Sequence, residues 1–297
     1  MRRFRLLLLI FFLIVFAVFM ASTIHEYMTS DSLAPVISAE EDVLYLSVDQ
    51  DKDELLLQGM TAMDNLDGDV SDSLVVVSKS KFIAKATRNV SYAAFDVNNN
   101  VGTYTRKLVY TDYHSPRFVI NEPMRFVGGN SSYDYLRYVQ AIDCLDGNIS
   151  GQIKITFGET EAVSDTVSTQ MVNIQVTNSA GDTSTLSLAA TFEDFDTYSK
   201  ASPALTDYVI YVQRGERPNL KSYLGGIWMA GNTRQFSDLS FNPDKDITID
   251  DSAVNYSVPG TYIATYLLSR ATPNALGEDY RVDFGTAQLI IVVEDPS

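Results

Sequence analysis

Apolar residues run unbroken through positions 6–21, directly behind Arg2, Arg3 and Arg5. A stretch that is hydrophobic on every face predicts a helix that meets lipid, with Leu6, Phe11, Val15 and Phe19 among its membrane-contacting side chains. A spanning helix needs about 17–25 residues, and the core of a cleaved signal peptide about 7–15. The run lies between the two and leans long. An uncleaved signal anchor is therefore the expectation, with cleavage near Ala21-Ser22-Thr23 and secretion as the alternative. On either reading the arginines stay cytoplasmic by the positive-inside rule, and everything after about residue 25 lies outside the cell membrane.

After the helix the hydrophobic period shortens to two. Met171-Val172-Asn173-Ile174-Gln175-Val176 alternates cleanly, and Thr185-Leu186-Ser187-Leu188-Ala189-Ala190 follows it across a turn. Earlier, Ser91-Tyr92-Ala93-Ala94-Phe95 and Tyr104-Thr105-Arg106-Lys107-Leu108-Val109-Tyr110 flank a run of asparagines. Each pair predicts a hairpin that closes a β-domain. Near the C-terminus, Tyr208-Val209-Ile210-Tyr211-Val212 and Ala287-Gln288-Leu289-Ile290-Ile291-Val292-Val293 read as strands, with residues 269–284 as a long turn holding Pro273, Asn274 and Gly277. A short helical turn is predicted near residues 220–224, and no sustained helical period follows the first helix.

The strand pattern repeats. Pro35, Pro116 and Pro203 each open a segment, where an edge strand tolerates proline. Residues 62–71 (AMDNLDGDVS) return about 80 residues later as 141–150 (AIDCLDGNIS), and the turn Asp96-Val97-Asn98-Asn99-Asn100 returns in register as Asn178-Ser179-Ala180-Gly181-Asp182. Two turns in register mean duplication of a whole domain of the size of a small β-sandwich. The expected architecture is all-β: three tandem sandwiches over residues 33–113, 114–199 and 200–297, behind a membrane segment and linker over 1–32. The third unit lacks the aspartate-glycine signature and is the divergent one.

The signature Ala-x-Asp-x-Leu-Asp-Gly-Asp-Val-Ser, the later Pro259-Gly260-Thr261-Tyr262 with Tyr266, and an Asn/Gly turn before the last strand resemble tandem bacterial immunoglobulin-like domains. The nearest family is the one first described at the C-terminal end of a pesticidal crystal protein, similar also to hyalin-repeat and cadherin-like domains. The resemblance covers two units closely and the third loosely. It implies sandwiches on exported bacterial proteins, used as spacers or binding modules, and no catalytic activity.

Composition narrows the partners. The formal charge is −16 with only two histidines and one cysteine. So acidic a chain lacks the basic surface that nucleic acid needs. Cys144 is alone, so no intrachain disulfide forms and the domains stand on hydrophobic packing. It replaces Asn65 of the first repeat and reads as an inert turn residue, with an intermolecular disulfide as the alternative.

Chemistry has few candidates. His25 lies beside the apolar run and His114 between two units, neither next to a nucleophile motif. No phosphate-cradling glycine loop or Cys/His cluster occurs, so no enzyme is expected. Asp64, Asp67 and Asp69 invite a calcium reading, but their spacing is not that of an EF-hand and no glutamate closes the loop. The competing reading is a structural turn in which Gly68 and Gly147 supply positive φ, Leu66 and Leu145 plug the sandwich, and Val70 and Ile149 begin the next strand. Trp228, the sole tryptophan, is either a core residue or, with Tyr223, an exposed aromatic face for a partner. The expected function is a noncatalytic membrane-anchored spacer, adhesion or protein-interaction module on a bacterial surface, meeting an unknown protein or glycan through its distal domain. A carbohydrate- or cell-wall-binding accessory is the rival.

Overall fold

A computed structural model of the chain describes residues 2–29, 31–128, 133–273 and 279–295. The first element is a helix, α1, Arg2–Thr29. Its segment Phe4–His25 has a mean hydropathy of 2.9, and none of it is buried against the rest of the chain. Leu6, Phe11, Val15 and Phe19 are all exposed. A helix apolar on every face and unburied among the described residues is long enough to cross a bilayer or to serve as a signal sequence.

Among the described residues, twenty-one strands follow in three repeats of one topology. The first repeat contains β1 (Val36–Ala39), β2 (Val43–Leu46), β3 (Met60–Asp64), β4 (Gly68–Asp69), β5 (Val75–Ala84), β6 (Thr87–Phe95) and β7 (Val101–Tyr110). One sheet has the order β1-β3-β4 and the other β2-β7-β6-β5. The opening strand is thus split between sheets: β1 runs antiparallel to β3, and β2 runs parallel to β7.

The second repeat contains β8 (Arg117–Val119), β9 (Arg125–Val127), β10 (Gln140–Asp143), β11 (Gly147–Asn148), β12 (Lys154–Ser164), β13 (Val167–Thr177) and β14 (Thr183–Glu193). The third contains β15 (Ser202–Leu205), β16 (Val209–Gln213), β17 (Leu224–Met229), β18 (Asn232–Arg234), β19 (Ile247–Asp250), β20 (Gly260–Pro273) and β21 (Asp279–Glu294). Both keep the three-plus-four arrangement, with β9 parallel to β14 and β16 parallel to β21. The third unit therefore diverges in sequence while holding the same topology.

Alternation explains the cores. On β13, Val172, Ile174 and Val176 are buried while Met171, Asn173 and Gln175 point outward, and Leu186, Leu188 and Ala190 of β14 meet them from the next strand. In the first repeat, Leu56, Ala62, Val90, Tyr92, Ala94 and Leu108 fill the same space. Gly102 lets β7 pass against the Pro35 carbonyl, since a Cβ there would stand 2.0 Å from that oxygen.

Three expectations from the sequence do not hold. Residues 269–284 are largely not a turn: β20 continues to Pro273, β21 begins at Asp279, and paired residues reach from Ser269↔Asp283 to Pro273↔Asp279. Asn274 and Gly277 lie outside the described residues. Leu66 does not plug a sandwich; it is 66% exposed, because the turn that carries it projects outward. Val70 and Ile149 each cap a single 3-10 turn, and the strand starts only after it. The predicted helical turn is present as a 3-10 turn, Leu220–Tyr223.

The chain divides into two compact units, Met1–Thr111 and Asp112–Ser297. Within the second, the second and third sandwiches share one continuous core that includes Ile120, Val172 and Leu188 on one side and Leu205, Tyr208 and Leu289 on the other. Polar contacts reinforce the seam. Phe118 N donates to Tyr211 Oη at 2.7 Å, and Tyr208 N donates to the Ile120 carbonyl at 2.7 Å. The Arg125 guanidinium grips the Glu193 carboxylate and also donates to Ser202 Oγ at 2.8 Å. Arg117 pairs with Glu294 at 2.6 Å and lies over the Tyr211 ring.

Candidate functional site

The aspartate turns earn most attention because the fold gathers more around them than their own residues. In the first sandwich, Asp64 ends β3 with only 7% of its surface exposed. Its Oδ1 accepts from Leu66 N at 2.8 Å and from Asp67 N at 2.9 Å, and Gly68 takes a φ of +75° to complete the hairpin into β4. Those N–H groups, Asp67 first, hold the Asp64 carboxyl below its usual range. The duplicated turn is built identically: Asp143 Oδ1 accepts from Leu145 N and Asp146 N, both at 2.9 Å, and Gly147 has a φ of +71°.

Of the three aspartates singled out in the sequence, only Asp64 faces a common centre. Asp67 turns away and its Oδ2 accepts from Val97 N at 2.9 Å, which ties this turn to the one between β6 and β7. Asp69 caps its own loop through Ser71 N at 3.0 Å. The residues that do join Asp64 are Asp31 and Asp96: one carboxylate oxygen from each of the three lies within 4.8 Å of the others. Asp96 is buried at the start of the β6–β7 turn, where its Oδ1 accepts from Asn100 N at 2.7 Å and its Oδ2 from Asn100 Nδ2 at 2.6 Å. Asp31 is held by its backbone, whose carbonyl accepts from Asn100 Nδ2 at 3.1 Å. Among the described residues no donor reaches the buried Oδ2 atoms of Asp31 and Asp64.

A signal for the two missed residues was present. Asp31 stands four residues before Pro35 as Asp112 stands before Pro116, and Asp96 opens the turn already seen to repeat. Sequence proximity drew attention to Asp67 and Asp69, whereas the sandwich brings together three separate loops at one end of its sheets.

The second sandwich repeats the frame with a different filling. Asn178 occupies the place of Asp96 and Asp182 the place of Asn100, so acid and amide are exchanged. Asp182 N still donates to the residue-178 side chain, at 2.9 Å. The freed amide now donates from Nδ2 to Asp143 Oδ2 at 3.0 Å and to Tyr113 Oη at 2.9 Å. Tyr113, where the first sandwich has Ser32, donates its hydroxyl to Asp182 Oδ2 at 2.7 Å. Burial, together with that carboxylate, pushes the Tyr113 hydroxyl well above its usual range and keeps it a donor. Every oxygen of Asp143 thus has a partner.

The other sequence candidates fall elsewhere. Trp228 is buried at 7% exposure on β17, so its indole is a core side chain of the third sandwich and offers no open face. Tyr223 is half-buried against the same core. Cys144 is half-buried, its Sγ donates to the His114 carbonyl at 3.2 Å, and burial raises the thiol above its usual value. That is the setting of an inert thiol. A cavity of about 430 Å³ opens along the seam of the second and third sandwiches, lined by Met124, Arg125, Ser202, Tyr208 and Phe284 among others.

No family model matches the chain. An uncharacterized 81.3 kDa protein of Acholeplasma phage L2 is 27% identical over 159 residues, which is 51% of this chain and 21% of that protein's length. Among solved structures, the M60 catalytic domain with the CBM51-1 and CBM51-2 domains of Clostridium perfringens ZmpB aligns over 90% of this chain and 31% of its own, at 11% identity and a TM-score of 0.20. Mouse protocadherin-24 EC1-3 aligns over 90% and 100%, at 8% identity and a TM-score of 0.20. The lipoprotein BT2262 of Bacteroides thetaiotaomicron aligns over 86% and 100%, at 13% identity and a TM-score of 0.19. Scores this low carry nothing about function.

Proposed function

We propose that this chain is a noncatalytic, membrane-anchored extracellular module of immunoglobulin-like sandwiches that serves as a surface spacer or adhesion element. The supporting observation is the wholly unburied apolar helix Phe4–His25 ahead of three sandwiches of one topology. None of that apolar window is buried among the described residues, and lipid is the solvent that accepts such a helix. Within the second compact unit, the shared core and the Arg117, Arg125 and Tyr211 contacts join two sandwiches into a single body. Such a body presents a partner-binding surface without internal slack.

Topology and role are tested together on intact cells. Added protease should degrade the sandwiches while leaving a membrane-bound fragment that contains α1, and cross-linking should capture a protein partner at the cell surface. Complete protection from protease until the membrane is broken would defeat the extracellular assignment. The carbohydrate- or cell-wall-binding reading can no longer lean on Trp228, which is buried. It keeps one feature, the seam cavity with Arg125, Ser202 and Tyr208 in its wall. Binding of purified cell-wall glycan, lost on substitution of the exposed wall residue Ala189→Trp with the fold intact, would favour it over protein adhesion.

A further inference from the structure

We propose that Asp31, Asp64 and Asp96 form a binding site for one hard divalent cation, calcium, in the first sandwich, and that the second sandwich has replaced this site with an internal hydrogen-bond network. Three carboxylates that offer one oxygen each within 4.8 Å match the ligand type of calcium, whose oxygens sit about 2.3–2.6 Å from the ion and therefore up to about 5 Å from one another. The second, separate observation is the state of Asp64. The residue is more than nine-tenths buried, and its Oδ2 has no donor among the described residues, as is also true of Asp31 Oδ2. A buried charged oxygen without a partner is costly, and like charges at this separation repel.

The duplicated domain shows how the same frame is satisfied without an ion. There a single chemical exchange, amide for carboxylate at the position of Asp96, supplies the donor that Asp143 Oδ2 uses. Tyr113 completes the network toward Asp182. The first sandwich has the carboxylate instead and nothing equivalent to the phenol, since Ser32 stands where Tyr113 does. What the amide does in one domain, a cation does in the other. Three protein carboxylates with the remaining positions open to water place the affinity in the range of extracellular modules, on the order of 10⁻⁴ to 10⁻³ M.

The test uses the full chain in detergent micelles, stripped with chelator and titrated with calcium chloride. One saturable site in that range is expected by titration calorimetry. Asp96→Asn should weaken binding at least tenfold while circular dichroism stays unchanged, because Asn178 shows that the frame folds with an amide. Asp31→Asn should weaken it comparably, and Asp143→Asn should leave it unaltered. No saturable binding by the wild-type chain overturns the proposal. So does binding that survives both Asp96→Asn and Asp31→Asn, or binding that is lost only with Asp143→Asn. Should one variant fail to fold, the wild-type titration and the other variant decide.

Discussion

The turns that begin at Asp64 and Asp143 have the same backbone, the same glycine conformation and the same pair of N–H groups on Oδ1. They differ in what meets the second oxygen. In the first sandwich no donor among the described residues reaches it and two more carboxylates stand beside Asp64, whereas in the second it faces the amide of Asn178. Duplication copied the scaffold of hydrogen bonds that shapes the loop, and one exchange of acid and amide between positions four residues apart decided whether the loop is self-sufficient. A turn motif therefore marks the domain, while its charge balance is set by residues from other loops.

The largest effect should come from forcing the second site to resemble the first. Asn178→Asp removes the donor to Asp143 Oδ2 and sets two buried carboxylates face to face, so the second unit should lose about 2–4 kcal/mol in denaturant unfolding. Calcium should restore part of that loss. A variant as stable as the parent would show that the network matters little.

Next in size is a close approach that the first sandwich makes and the second does not. Gly102→Ala drives a Cβ into the Pro35 carbonyl, and overpacking of this kind costs about 1–3 kcal/mol. The second sandwich has Ser184 at the matching position. The thermal transition of Met1–Thr111 should fall while that of Asp112–Ser297 stays in place. A shift of both transitions would mean that the units unfold as one.

Alkali separates the two units in another way. Burial, aided by Asp51, pushes Tyr110 of the first unit up to about 12, and burial pushes Tyr211 and Tyr256 of the second up to about 12 from an ordinary value of 10.0. The folded state holds these protons more tightly than the unfolded state. Their contribution is therefore full below pH 10 and is lost as pH rises toward 12. The second unit, which also buries Tyr113, Tyr208 and Tyr266 with raised values, should unfold first in a pH titration followed by tyrosine absorbance. The smallest effect belongs to Leu66→Ala, within about 0.5 kcal/mol, because the side chain is exposed.

Much of the fold was legible. Alternation placed β6, β7, β13 and β14, and the repeated turns gave the duplication. The third sandwich lost the aspartate turn but kept its strand order, which only pairing reveals. The seam between the second and third sandwiches left no sequence mark, since Tyr211, Arg117 and Glu294 read as ordinary strand residues until the fold joins them. The candidate site was half legible. Asp64 stood out through its neighbours, but Asp67 and Asp69 are spent on backbone N–H groups, and Asp31 and Asp96 arrive from loops far away in the chain.

Amide hydrogen exchange of the full chain, with and without calcium chloride, compares the two turns in a single sample. Calcium should slow exchange at Leu66, Asp67 and Asn100, whose amides hydrogen-bond to the Asp64 and Asp96 carboxylates, and leave Leu145, Asp146 and Asp182 unchanged. Equal protection of both sets, or of neither, would contradict the account.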